Sequence, residues 1–161
     1  MPVVAVRLLM APFATAIFAK VEALLSLDLK AAHRSRFSES ISEDIKKASN
    51  LHPHRMSVAA RSRALRLNPP VDLAAMTWHD QDKFDPGREI FILEHRATVS
   101  SLKRRCLAAA SQDAVLDVLE AEIDVVWILR DEDDELTRLK YVSKRPSTAY
   151  DEAKIEIWEG D

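Results

Sequence analysis

Two glycines, Gly87 and Gly160, are all that this chain of 161 residues contains, and that scarcity limits its folding more than any other feature. Glycine is the residue that phosphate-cradling loops and tight primed turns require, because it alone enters the left-handed backbone region without steric cost. P-loop and dinucleotide-binding loops are therefore excluded, and no nucleotide cofactor is expected. An apolar content of 47% is enough to build one ordinary domain, or a compact domain with a helical extension. The single cysteine, Cys106, has no internal disulfide partner and belongs to no cysteine-based zinc pattern, which fits a reducing, cytoplasmic location. On a helix with Leu102 and Leu107 it reads as a small buried apolar residue.

The formal net charge of −3 hides a division. Residues 1–67 hold eleven Lys and Arg against five Asp and Glu, a net +6, whereas residues 68–161 hold twelve against twenty-one, a net −9. Asn68-Pro69-Pro70 lies at the change and predicts a boundary between a basic helical region, 1–67, and an acidic α/β region, 68–161. Asymmetry of this size suggests either docking between the halves or a basic surface kept for an anionic partner. Arg55, Arg61, Arg63 and Arg66, with Lys46 and Lys47 upstream, are the candidate residues for binding phosphate or a partner. No aromatic residue is interleaved among them to stack on bases.

Helical periodicity over residues 3–29, with a bend at Pro12, predicts a core-facing stripe of Leu8, Leu9, Phe13, Ile17, Val21, Leu24 and Leu25. Arg7, Lys20 and Glu22 interrupt this stretch, so no uncharged run reaches the roughly 18–20 residues needed for a membrane span. A buried core helix is the expectation, ahead of a membrane-surface or partner helix. Ser40 and Glu43 have capping-box spacing and predict a helix start running to residue 48. An extended or turn conformation at His52-Pro53-His54 and a helix over 57–67 follow. Residues 76–88 read as a long loop, 89–93 and 123–129 as buried strands, 99–110 and 112–121 as helices, and 154–158 as an edge strand. The predicted class is α+β, mostly helical: an N-terminal helical part on or beside a small C-terminal α/β layer of about three strands.

Glu94-His95 falls where a strand gives way to a loop, a position that often faces a cleft, and the pair is the candidate for acid-base chemistry. A metal could join them if Asp80, Asp82 or other loop residues (His79, Asp85) converge on His95. Over these few residues the step resembles the acid-histidine step of His-Me finger nucleases. No later Asn-His helix pair or framing cysteines accompany it, and no family role is transferred. The favoured alternative pairs Glu94 with a nearby arginine and lets His95 cap or pack. His52 and His54 could place two imidazoles together, but no third ligand lies near. The acidic run 131–135 lacks the glycine and ligand alternation of a calcium loop and reads as a dipole-compensating helix start. Lys144-Arg145-Pro146 could pair with it or meet phosphate. Of the three tryptophans, Trp78 is the candidate partner-binding residue, while Trp127 and Trp158 are expected in the core.

These features favour a non-enzymatic binding or regulatory protein that engages a nucleic acid or a nucleic-acid-handling protein partner. The alternative is a metal-dependent hydrolase, most plausibly a nuclease, using Glu94 and His95. A divalent metal is the cofactor only of that alternative. Oligomeric state leaves no mark in the sequence.

Overall fold

Val6, Met10, Ala14, Ile17, Val21 and Leu24 recur at steps of three and four residues, and all are buried along one side of a long first helix. The computed structural model describes residues 3–141 and 145–160, with side chains from residue 5 onward. Its elements in chain order are α1 (Val3–Ser26), α2 (Ala31–Ser49), β1 (His54–Met56), α3 (Val58–Ala64), α4 (Gln81–Phe84), β2 (Phe91–His95), α5 (Val99–Leu107), α6 (Gln112–Glu122), β3 (Val125–Leu129), α7 (Arg130–Arg138) and α8 (Ala149–Glu152). Short 3-10 turns occupy Leu73–Ala75 and Trp78–Asp80. The class is α+β and mostly helical, with one three-stranded sheet among the described residues.

The contacts form two units that the chain visits alternately: Met1–His52 with Val99–Ile123, and Pro53–Thr98 with Asp124–Asp161. None of the three boundaries falls at Asn68-Pro69-Pro70. The change of charge along the chain is not a change of packing partner. The acidic helix α6 packs with the N-terminal helices, while Arg55 to Arg66 share a unit with the acidic C-terminal segment. Counted by unit, the helical part carries ten basic and nine acidic residues, a net +1, and the mixed part thirteen and seventeen, a net −4. Most of the +6 and −9 contrast disappears in three dimensions.

In the helical unit, α1 packs on α2, α5 and α6. Ile17, Val21 and Leu24 lie on the buried face as expected, but Leu8, Leu9 and Leu25 are exposed by 71%, 39% and 74%. The predicted stripe is thus rotated over the N-terminal turns, where Val6, Met10 and Ala14 take the inward positions, and at the other end only Leu25 falls outside it. By length and composition α1 is apolar enough to cross a membrane; here its inward face is filled by helices. It continues through Pro12, and Arg7 reaches Asp117 and Glu120 of α6. The expected helix start at Ser40 is instead the interior of α2. Ser42 and Ser49 return their hydroxyls to carbonyls four residues back, the way serine is accommodated inside a helix. Cys106 is fully buried, and burial, aided by Glu122, pushes its thiol up to about 11.

In the mixed unit the strand order is β1-β3-β2, with β1 parallel and β2 antiparallel to β3. β1 begins at His54, the last residue of the segment expected to be extended or a turn. The expected edge strand at 154–158 is reduced to one antiparallel bridge, Ser57 to Ile157, with Val58 and Trp158 N–H groups donating across it. Alternation along the strands sends Ile92, Val126 and Ile128 to a core with Leu136, Tyr150 and Ile155. Phe91, Leu93 and Trp127 face the opposite core with Met56, Ala60, Ala64 and Leu73. Ser57 caps α3 as expected, accepting the Ala60 N–H at 3.0 Å.

Scarce glycine has a visible consequence. Arg88, Lys140 and Lys154 adopt positive φ of 56°, 65° and 57°. Lys140 and Lys154 occupy the position after the C-caps of α7 and α8 where glycine is usual. The Tyr141 N–H donates to Leu136 O, and the Ile155 N–H to Tyr150 O, closing both helices with the same double-bonded turn.

Candidate functional site

Glu94 and His95 end β2, opposite Val126 and Val125 of β3. Successive strand residues point to opposite faces, so Glu94 shares the side of Ile92 and Tyr150 while His95 is directed to the other. The carboxylate is therefore badly placed to orient the imidazole, and the expected acid-base pair is not assembled. Glu94 instead meets the Arg145 guanidinium at 2.5 Å, and the two side chains are only 17% and 5% exposed. The other donors of Arg145 are also engaged, with Nη1 on His95 O at 2.9 Å and Nε and Nη2 on Tyr141 O at 3.1 and 3.0 Å. Burial pushes the Glu94 carboxyl above its ordinary value, and Arg145 opposes that rise. Asp133 is raised by burial in the same way, with Arg145 pulling it back.

Tyr150 lies beside this pair, 2% exposed, and its hydroxyl has no hydrogen-bond partner among the described residues. Burial first, and then Glu94, push the phenol well above its usual range. The Arg96 guanidinium carbon sits 5.3 Å from the centre of the Tyr150 ring, and Arg96 and Arg55 both approach Asp124 at 3.5 Å. General-base work requires a carboxylate or imidazole within direct reach of a substrate proton. Here Glu94 is held by a buried guanidinium that fixes the end of β2 to the chain at Tyr141 and Arg145. Lys144, expected to act with Arg145, lies outside the described residues.

The loop expected over residues 76–88 is structured and does not bring its carboxylates to His95. Asp85, 1% exposed, accepts the N–H groups of Glu89, Ile90 and Phe91 at 2.9–3.2 Å, while Gln81 donates to both Asp85 and Phe91 O. That fixes Asp85 at the start of β2, and the rise per strand residue puts His95 about 13 Å further along. Asp80 accepts from Thr77 and pairs with Lys83, which draws its carboxyl far down. Asp82 pairs with Arg88. No three His, Cys, Asp or Glu side chains group as a metal ligand set among the described residues, so the expected Asp80, Asp82 and His95 ligand set is not gathered. His52 and His54 also diverge: one ring lies 3.3 Å from Glu120 O and the other 2.7 Å from Met76 O. Within the acidic run, Glu132 caps α7 by accepting the Leu129 N–H and takes the Ser57 hydroxyl as well.

The arginine cluster forms a different surface from the one expected. Ala60 and Ala64 turn inward from α3, which leaves Arg63, Leu65 and Arg66 on the outside. Arg55 is neutralised by Asp124 and Glu159. Lys46, in the other unit, pairs with Glu43. Arg61 lies 4.4 Å over the ring of Trp158, so the aromatic missing from the cluster in sequence arrives from ninety-seven positions away. Arg63 and Arg66 meet no carboxylate among the described residues. Two open concavities, of about 330 and 350 Å³, are both walled by residues 70–72, and Arg61 and Ala64 of α3 line the smaller. Trp78, 43% exposed, carries Arg88 3.5 Å over its ring. Trp127 is fully buried, as expected, whereas Trp158 is partly exposed.

Glu94 pairs with an arginine, as the favoured alternative expected, but that the arginine is Arg145, like the Arg61–Trp158 contact, escapes sequence reading, because partners about fifty and one hundred residues apart leave no periodic trace. One signal was present in the acid-free run from Ile45 to Val71, which holds six Lys and Arg and no Asp or Glu. Comparison with family models, curated proteins and solved structures gives no match for this chain.

Proposed function

We propose that the protein is a non-enzymatic binding or regulatory protein that engages a nucleic acid or a nucleic-acid-handling protein through the outer face of α3. The observation that carries this reading is the pair Arg63 and Arg66, exposed and not matched by a carboxylate among the described residues. Most other arginines of this unit are spent on internal contacts: Arg55 on Asp124 and Glu159, Arg88 on Asp82, Arg145 on Glu94. Cations left over at a surface steer an anionic partner and fix its register. The distribution of carboxylates favours binding over hydrolysis, since Glu94, Asp80, Asp82 and Asp85 each hold a protein group.

The test compares wild type with Arg63→Glu/Arg66→Glu. Fluorescence anisotropy at low salt with labelled duplex DNA, single-stranded DNA and RNA is run beside quantitative mass spectrometry of proteins co-purifying from the native host. The reading requires that nucleic acid, or a reproducible protein partner, bind wild type and lose at least tenfold on charge reversal at unchanged thermal stability. Binding that is indifferent to the double substitution contradicts it.

A further inference from the structure

Between Leu24 of α1 and Ile41 of α2 no residue is buried. The two helices run antiparallel, with Lys20 on Ser40 at 2.7 Å and Arg34 Nη1 donating to Leu24 O at 2.8 Å, so the chain between them is the tip of a helical hairpin. Residues 31–36, more than a full turn of α2, are all exposed. A helical turn exposed on every side stands clear of the rest of its unit.

The tip carries leucines that packing leaves wet. Leu25 and Leu27 are 74% and 52% exposed, and Leu29 is half-buried. They fall two residues apart where α1 gives out, and side chains at that spacing do not share a helix face. Apolar anchors that splay from a convex tip suit a fluid apolar phase, which closes round any direction, better than the shaped pocket of a folded partner.

Lys30, Arg34 and Arg36 flank these leucines from exposed positions, and none of them meets a carboxylate among the described residues. Asp28 is the single acid over residues 25–36, where three Lys and Arg leave a net +2. Glu22 and Glu39 lie about a turn further from the tip, and Glu39 takes the Ser35 hydroxyl at 3.1 Å. Nucleic acid would engage the cations and leave the leucines in water. Anionic lipid engages both, since leucines enter the acyl boundary while Lys and Arg lay their stems along it and keep their charges at headgroup level.

We infer that the α1–α2 tip docks on an anionic lipid surface, with Leu25 and Leu27 at the acyl boundary and Lys30, Arg34 and Arg36 on the headgroups. The contact is peripheral and belongs to the helical unit, so it stands or falls separately from the α3 proposal.

The experiment sediments the full chain at low salt with vesicles of phosphatidylcholine alone or with about 30 mol% phosphatidylserine. The expected result is binding to the anionic vesicles at least tenfold tighter than to the neutral ones. Leu25→Glu/Leu27→Glu and Lys30→Glu/Arg36→Glu each weaken it at least tenfold at unchanged thermal stability, all four side chains being exposed, while Leu51→Glu, past the other end of α2, leaves it unchanged. Insertion is read independently from an environment-sensitive fluorophore on Leu27→Cys, the chain's own Cys106 being buried. Its emission shifts to the blue on anionic vesicles, and the same label on Leu51→Cys does not respond. No preference for anionic vesicles, binding that survives either double substitution, or an unshifted emission at position 27 overturns the inference. Duplex DNA or a second copy of the chain that occupies the tip, read by anisotropy and sedimentation velocity, while vesicles do not bind, overturns it as well.

Discussion

The helical unit and the mixed unit solve the problem of burial by different means. In the first, α1 presents Met10, Ala14, Ile17 and Val21 to three other helices, and its buried polar side chain, Ser49, satisfies itself within its own helix. In the second, Asp85, Gln81 and Ser57 are buried and hydrogen-bonded to groups of other segments, and the Glu94–Arg145 pair joins the end of β2 to a segment fifty residues later. The helical unit is held mainly by area, with ion pairs of Arg7 and Lys20 towards its edge, whereas the mixed unit also depends on buried polar contacts that must all be present together. Area tolerates substitution by degrees, whereas a buried polar group stripped of its partner is penalised at once.

The sharpest way to break this contrast is Arg145→Ala. It leaves Glu94 buried without its counter-charge, and the expected loss is about 3–5 kcal/mol in urea or guanidinium unfolding. A loss under 1 kcal/mol would mean that the pair is incidental. Asp85→Ala removes the acceptor of three N–H groups at the head of β2 and should cost about 2–4 kcal/mol. Ile17→Val, inside the helical unit, should cost only about 0.5–1.5 kcal/mol, since one methylene is lost from a packed stripe.

Acid titration sharpens the comparison further. Because burial raises the folded-state value of Glu94 above its ordinary one, its contribution to stability is fully present below the ordinary glutamate value of about 4.3 and declines as pH rises through the raised value. The stability of wild type relative to Glu94→Gln should therefore fall as pH rises from 4 towards neutrality. A difference that is flat, or that grows with pH, would show that Arg145 outweighs burial. The smallest effect concerns the backbone: Lys140→Gly or Lys154→Gly should stabilise by up to about 1 kcal/mol by relieving a left-handed residue, measured as a rise in Tm.

Legibility in the sequence followed the same division. Helices α5 and α6, the core strand β3, the Ser57 cap and the buried Cys106 were all readable, because each is written in local periodicity or capping chemistry. The register of α1 was half readable: seven apolar residues crowd two faces, and which face turns inward is decided by α6, far along the chain. β1 was hidden in a three-residue segment beside a proline, which acquires strand character only by pairing with β3. Glu94 was singled out for its place at a strand end, but the guanidinium that neutralises it comes from a loop. Arg61, Arg63 and Arg66 were visible as a cluster, and the concavity that Arg61 lines was not, since Trp158 is brought there by tertiary packing.

Exposed leucines occur in both units, Leu8 and Leu25 on α1 and Leu65 just past α3, yet only the last lies between Arg63 and Arg66 in the chain. Site-specific photocrosslinking separates them most directly, with a photoreactive amino acid placed in turn at positions 8, 25 and 65 in cells. The proposed function predicts a discrete protein or nucleic-acid adduct from position 65 that Arg63→Glu/Arg66→Glu abolishes, and none of comparable yield from 8 or 25. Adducts of that kind formed only from positions 8 or 25, or an adduct from 65 that persists after charge reversal, would contradict the assignment of the binding surface to α3.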